Sequence, residues 1–171
     1  MAQRRLLIAV FLVAFVGFVL SETFLNRSAR DANPALPPGE DALVTRVVDG
    51  DTIQVQINGV SYRVRYIGVD APESTKQVDC FGLEASAFNQ RLVGGQTVRL
   101  ERDVNETDRY GRLLRYVYLL DGRMVNEELV REGYAIARTF PPDVKHVDRL
   151  RRAEQEARQT GRGLWSACSI R

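Results

Sequence analysis

Asn58-Gly59 sets the geometry of the middle of this chain. A two-residue type I′ turn needs positive φ at both central positions, which asparagine and glycine accept and most residues resist. Before it, Ile53, Val55 and Ile57 alternate with Gln54 and Gln56, the period of a half-buried strand. With those two residues as the loop, Ile57 faces Val60, Val55 faces Tyr62, Ile53 faces Val64 and Asp51 faces Tyr66. Asp51 therefore stands at the open end of a hairpin, next to the stretch that carries Asp70 and Glu73. Gly68 and Pro72 supply a bend and a stiff corner that bring these carboxylates back over Asp51, with Arg63 and Arg65 between them.

The rest of the chain reads as short elements around this hairpin. A strand runs from residue 42 to the turn at Asp49-Gly50, where Asp49 is read as a turn residue. An aperiodic loop follows Glu73. A helix is expected over residues 83–93, with Ala85, Phe88 and Leu92 on one face and Gly94-Gly95 as its stop. Val98 and Leu100 alternate with charged neighbours in another strand. A polar loop over 103–111 leads to Arg112 and the strand LLRYVYLL. Asn126 is expected to cap a short helix that Gly133 ends. A final helix is expected from about Asp143, striped by Val144, Val147, Leu150, Ala153 and Ala157 and ended by Gly161. Trp165 belongs to no periodic element and is read as the anchor of the tail. Five short strands and three helices give an α+β fold whose closed form is a small five-stranded barrel with packed helices.

The organisation before residue 42 is different. Arg4-Arg5 precede an apolar run from Leu6 to Leu20, shorter than the ~20 residues that span a bilayer comfortably. Residues 1–20 are thus either an uncleaved membrane anchor or a cleaved signal, and both imply export. Residues 21–41 are polar, proline-rich and aperiodic, a linker; 42–171 form the domain. In an oxidising compartment Cys80 and Cys168 are expected to be bridged, the alternative being two buried thiols. The formal net charge of +2 is too mild to mark a nucleic-acid binder by itself, so such a partner must be argued from a local site.

That local site is the hairpin mouth. Three carboxylates meeting there, Asp51, Asp70 and Glu73, repel unless a cation sits among them. Their hard oxygens suit Ca²⁺ or Mg²⁺ rather than zinc, and the only histidine, His146, reads as a surface residue. Arg65 and Arg112 are candidates to grip an anionic substrate, because a guanidinium meets phosphate in bidentate fashion.

The strings VVDGDT, RYIGVDAPE, FGLEASAF, TDRYGR, YLLDGRMVNEELVREGYA and GLWS occur in that order between about residues 44 and 166. This combination resembles the staphylococcal nuclease (thermonuclease-like) family. The resemblance implies an OB-type barrel with three helices and a calcium-dependent phosphodiesterase acting on DNA and/or RNA. It further implies that Asp51 and Asp70 bind Ca²⁺ through their carboxylates and Ala71 through its carbonyl, and that Glu73 is the general base. Arg65 and Arg112 would clamp the scissile phosphate. Arg109 and Tyr110 match positions that contact nucleotide phosphate and base, and Arg138 and Phe140 stand where the family carries an aromatic pair. The bridge from Cys80 to Cys168 would stiffen the loop after Glu73. A monomer without a protein partner is expected, membrane-anchored outside the cytoplasm or secreted. The competing reading is a non-catalytic OB-type nucleic-acid-binding module tethered to the membrane.

Overall fold

A computed structural model describes residues 36–75 and 77–169. The expected anchor at 1–20 and most of the linker at 21–41 lie outside the described residues.

The hairpin forms in the register that the turn dictates. Strands β2 (Thr52–Ile57) and β3 (Val60–Tyr66) pair antiparallel, with Ile57 opposite Val60, Val55 opposite Tyr62 and Ile53 opposite Val64. Asn58 and Gly59 have φ of 49° and 82°, as a type I′ turn requires. Asp51 continues the pairing, its carbonyl accepting the Tyr66 N–H at 2.9 Å. Ile53, Val55 and Val64 are fully buried, so the apolar set of both strands faces one core.

Three more strands close the barrel. β1 (Glu40–Val47), β5 (Thr97–Glu101) and β6 (Leu113–Leu119) join the hairpin in the order β1-β2-β3-β6-β5. β1 begins before residue 42 because Glu40 and Asp41 pair with Leu100 and Arg99 of β5, and Asp41 meets the Arg99 guanidinium at 2.5 Å. β3 and β6 run parallel, with Val64 opposite Leu113 and Arg65 opposite Leu114. This pairing carries Arg112, the residue before β6, to the side of β3 that holds Arg65. Outside the barrel, β4 (Val69–Asp70) and β7 (Ile136–Ala137) form a two-stranded pair, with Asp70 opposite Ile136.

Among the described residues the helices are α1 (Gly82–Val93), α2 (Val125–Arg131), α3 (Val147–Thr160) and a single turn, α4 (Leu164–Ala167). Leu129 and Val130 of α2 and Leu150 and Ala153 of α3 join the barrel's core. Trp165 sits in α4 with the Arg158 guanidinium 4.1 Å over its ring.

Three polar residues behave differently from their expected roles. Asn126 caps nothing: it lies within α2, fully buried, accepting the Val117 N–H at 2.9 Å and donating to the Ile67 carbonyl at 2.8 Å. A buried amide satisfied on both sides is a cross-brace. Asp143 precedes α3, and its carboxylate accepts the N–H groups of Val104 and Asn105 and the Asn105 side-chain amide. It ties the 103–111 loop down, and Val144 beside it is exposed. His146 is half-buried rather than superficial, 2.8 Å from the Glu101 carboxylate and 3.2 Å from the Tyr118 hydroxyl.

Candidate active site

Asp51 is placed by a turn. The Asp49 carboxylate accepts the Asp51 N–H at 3.0 Å, the side-chain-to-backbone bond by which aspartate shapes turns. The Asp51 carboxylate, 6 % exposed as a residue, accepts the Thr52 hydroxyl at 3.0 Å and the Ala71 N–H at 2.9 Å. Gly50 allows the approach, since a Cβ there would lie 2.6 Å from that of Ala71. Burial lifts the Asp51 carboxyl to about 6, outweighing the Arg65 guanidinium, which pulls it down, while Asp49 adds to the rise.

Arg65 stands between the acids. Its Nη2 is 3.0 Å from Asp51 Oδ2 and 3.3 Å from Asp70 Oδ1. Its Nη1 donates to the carbonyls of Tyr66 and Val69 at 2.9 and 2.7 Å, which fixes the plane of the guanidinium. Asp70 is held by the β4–β7 pair, and its second oxygen lies 3.4 Å from Arg138 Nε. Arg112 is gripped by Asp108, which accepts its backbone N–H at 3.0 Å and its Nε at 2.7 Å. Burial alone would raise the Asp108 carboxyl, but these bonds and the Tyr110 N–H hold it below the usual aspartate value.

Glu73 departs from the expected three-carboxylate cluster. Its Oε1 accepts the Ser74 and Thr75 N–H groups at 3.0 and 2.8 Å and the Thr75 hydroxyl at 2.5 Å. The loop closes on itself where Asp79 N–H reaches the Glu73 carbonyl at 2.9 Å. A disulfide joins Cys80, at the end of this loop, to Cys168. Among the described residues no three histidine, cysteine, aspartate or glutamate side chains are grouped to hold a metal ion.

Even so, one open cavity of about 590 Å³ gathers Asp51, Arg65, Asp70, Ala71, Glu73 and Arg112, with the disulfide on its wall. A second, of about 500 Å³, is lined by Arg109, Tyr110 and Phe140. Arg65 and Arg112 line both, so they stand where the two meet. Arg138 lies apart from the second cavity, on the far oxygen of Asp70. The role of Asp108 escaped the sequence reading, as did the pairing of β4 with β7, although residues 135–140 read as a short extended piece. Asp108 had a signal, lying in a polar loop just before Arg112; a two-residue strand is too short for any periodicity.

The staphylococcal nuclease homologue family matches residues 63–167. A thermonuclease of Staphylococcus hyicus is 38 % identical over 169 residues, covering 96 % of this chain and 99 % of that protein. The chain belongs to the staphylococcal nuclease family. An endonuclease of Bacillus subtilis (strain 168) is 44 % identical over 126 residues, 71 % of this chain and 59 % of that protein. The staphylococcal nuclease match begins at Arg63, so it includes Arg65, Asp70, Glu73 and Arg112 and leaves Asp51 before its start.

Staphylococcal nucleases generally depend on a metal ion, and the donors here fit a hard one. Asp51 and Asp70 both reach a single Arg65 nitrogen, at 3.0 and 3.3 Å, so their carboxylate oxygens are near enough to be hard donors to one divalent cation, in the space that the guanidinium fills here.

Proposed function

We propose that this nuclease, a hydrolase, cuts phosphodiester bonds of DNA, RNA or both with calcium. It works outside the cytoplasm as a monomer, secreted or held by its N-terminal segment. The observation that carries the reading is the single cavity shared by two guanidiniums, Arg65 and Arg112, and the acids Asp51, Asp70 and Glu73.

A phosphodiester is anionic and repels an incoming water or hydroxide, so catalysis here is chiefly placement of positive charge. Asp51, Asp70 and the Ala71 carbonyl would hold the calcium, which would supply part of that charge and make water a better nucleophile. Arg65 and Arg112 bind the non-bridging phosphate oxygens and gain strength as charge builds on them in the transition state. Asp108 engages Nε and Nη2 of Arg112, each at 2.7 Å, and leaves Nη1 to face the substrate. Glu73 takes the proton of the attacking water, and the departing ester oxygen takes a proton from solvent as the P–O bond breaks; a positioned base of this kind contributes roughly 10²–10⁴-fold. Tyr110 and Phe140 offer faces for a base, while Arg109 and Arg138 add charge for flanking phosphate.

Incubation of a labelled oligonucleotide with the purified protein in calcium, and in parallel with a chelator, tests the reading. Cleavage in calcium alone supports it. Salt-sensitive binding with no cleavage in either condition would leave a binding module instead.

A further inference from the structure

Most arginines on this surface are neutralised by neighbours. Arg99, Arg102 and Arg123 each meet a carboxylate. Arg46 and Arg63 differ: among the described residues neither guanidinium has a hydrogen-bond or ion-pair partner, and both residues are exposed.

Their places in the barrel are related. Arg46 of β1 faces Gln54 of β2, and Gln54 faces Arg63 of β3. Residues directly opposite across antiparallel strands project from the same face, so the three form one lateral row. Val64 and Tyr66 are buried, so Arg63 and Arg65 both point outward, one step of about 6.6 Å apart along β3. The row therefore begins beside the arginine that lies between Asp51 and Asp70. The parallel pairing of Val64 with Leu113 sets Arg112 level with Arg63 on the strand's other side.

The two strands that carry Gln54 and Arg63 set no acidic side chain against the charge, and of the acids in β1 Asp41 is paired with Arg99. Strands β2 and β3 read TIQVQI and VSYRVRY and hold no carboxylate, in a chain with 22 of them. Gln54 donates to Ser61 at 2.8 Å, so the ground between the arginines is neutral and hydrogen-bonding. Unopposed cations in line with a phosphate-gripping arginine, separated by polar and not apolar side chains, suit a sugar–phosphate backbone better than a lipid surface.

We propose that Arg46 and Arg63 form a sequence-independent phosphate-binding strip, leading from Arg65 across β3, β2 and β1, that holds the polynucleotide strand beyond the scissile bond. The strip rests on the nuclease reading for the phosphate at Arg65. It makes long strands better substrates than dinucleotides, through binding and not through chemistry.

The test uses the full-length protein and the double variant Arg46→Gln, Arg63→Gln. Anisotropy of a short fluorescein-labelled single strand, measured in chelator across a range of salt, reads binding without cleavage. The variant is expected to bind about tenfold more weakly at low salt, with a salt slope shallower by about 0.7 for each arginine removed. In calcium it is expected to cleave a dinucleotide at the wild-type rate and long strands with a raised KM. Unchanged affinity and slope would overturn the strip, as would equal losses on dinucleotide and polymer. Loss of binding to phosphatidylserine vesicles with oligonucleotide binding intact would overturn it in favour of a membrane surface. Arginine-dependent binding by a wild-type protein that cuts nothing would uphold the strip while refuting the nuclease reading.

Discussion

Asp108 holds Arg112 by both backbone and side chain: one carboxylate oxygen accepts the Arg112 N–H at 3.0 Å and the other accepts its Nε at 2.7 Å. The loop and the guanidinium it presents are thus fixed by one residue. Asp108→Ala is expected to lower turnover by about 10–100-fold, since loss of alignment at a reacting centre costs on that order. Asp108→Asn, which keeps an acceptor, is expected to recover part of the loss. Equal kcat in all three proteins would refute the coupling.

Asp51 is buried and ionises only at a cost, and that cost falls when a cation is bound. Asp51→Asn removes the charge, while Arg65 keeps the Tyr66 and Val69 carbonyls and Asp70 as partners. The variant is expected to melt in chelator at or above the wild-type temperature and to lose the rise that calcium gives the wild type. Thermal melts with and without calcium check this, and a calcium-induced rise as large as the wild type's would remove Asp51 from the ligand set.

The disulfide spans 88 residues and ends beside the Glu73 loop. A cross-link over a loop that long contributes about 4–5 kcal/mol in the chain-entropy model. Replacing both cysteines by alanine is expected to lower the thermal midpoint by roughly 10 °C or more and to reduce kcat. Reductant that changes neither melting nor rate would contradict the second role.

Glu101 is buried, which alone would raise its carboxyl, yet bonds from Lys145 at 2.5 Å, His146 at 2.8 Å and Tyr118 at 2.9 Å hold it below the usual glutamate value. A carboxylate depressed in the folded state adds stability above its unfolded value, near 4.5, and loses it as pH falls through the folded one. Glu101→Gln is expected to cost about 1–3 kcal/mol at neutral pH and to flatten the fall in stability below pH ~4.5. Urea titrations at neutral and acid pH measure both.

The hairpin was legible because its information is local: Asn58-Gly59 demands one turn, and the alternation of Ile53, Val55 and Ile57 fixes one face. Arg112 was legible through its motif, but not the parallel pairing of β3 with β6 that delivers it. Asn126, Asp143 and His146 were misread for one reason. Each has a plausible local role, as cap, helix start or surface residue, and each is used instead to satisfy groups distant in sequence, which only the closed barrel brings near. Glu73 carried the reverse lesson: sequence spacing brought it to the cavity, while its own Thr75 decided where the carboxylate turns.

The account stands most directly on single-turnover cleavage of an end-labelled oligonucleotide in calcium by the wild type, Glu73→Ala and Arg112→Ala, each shown to be folded by circular dichroism. Rates are expected to fall about 10²–10⁴-fold for Glu73→Ala and about 10²–10³-fold for Arg112→Ala, the range for losing a positioned base or a preorganised charge. Near-wild-type rates in both variants would contradict it.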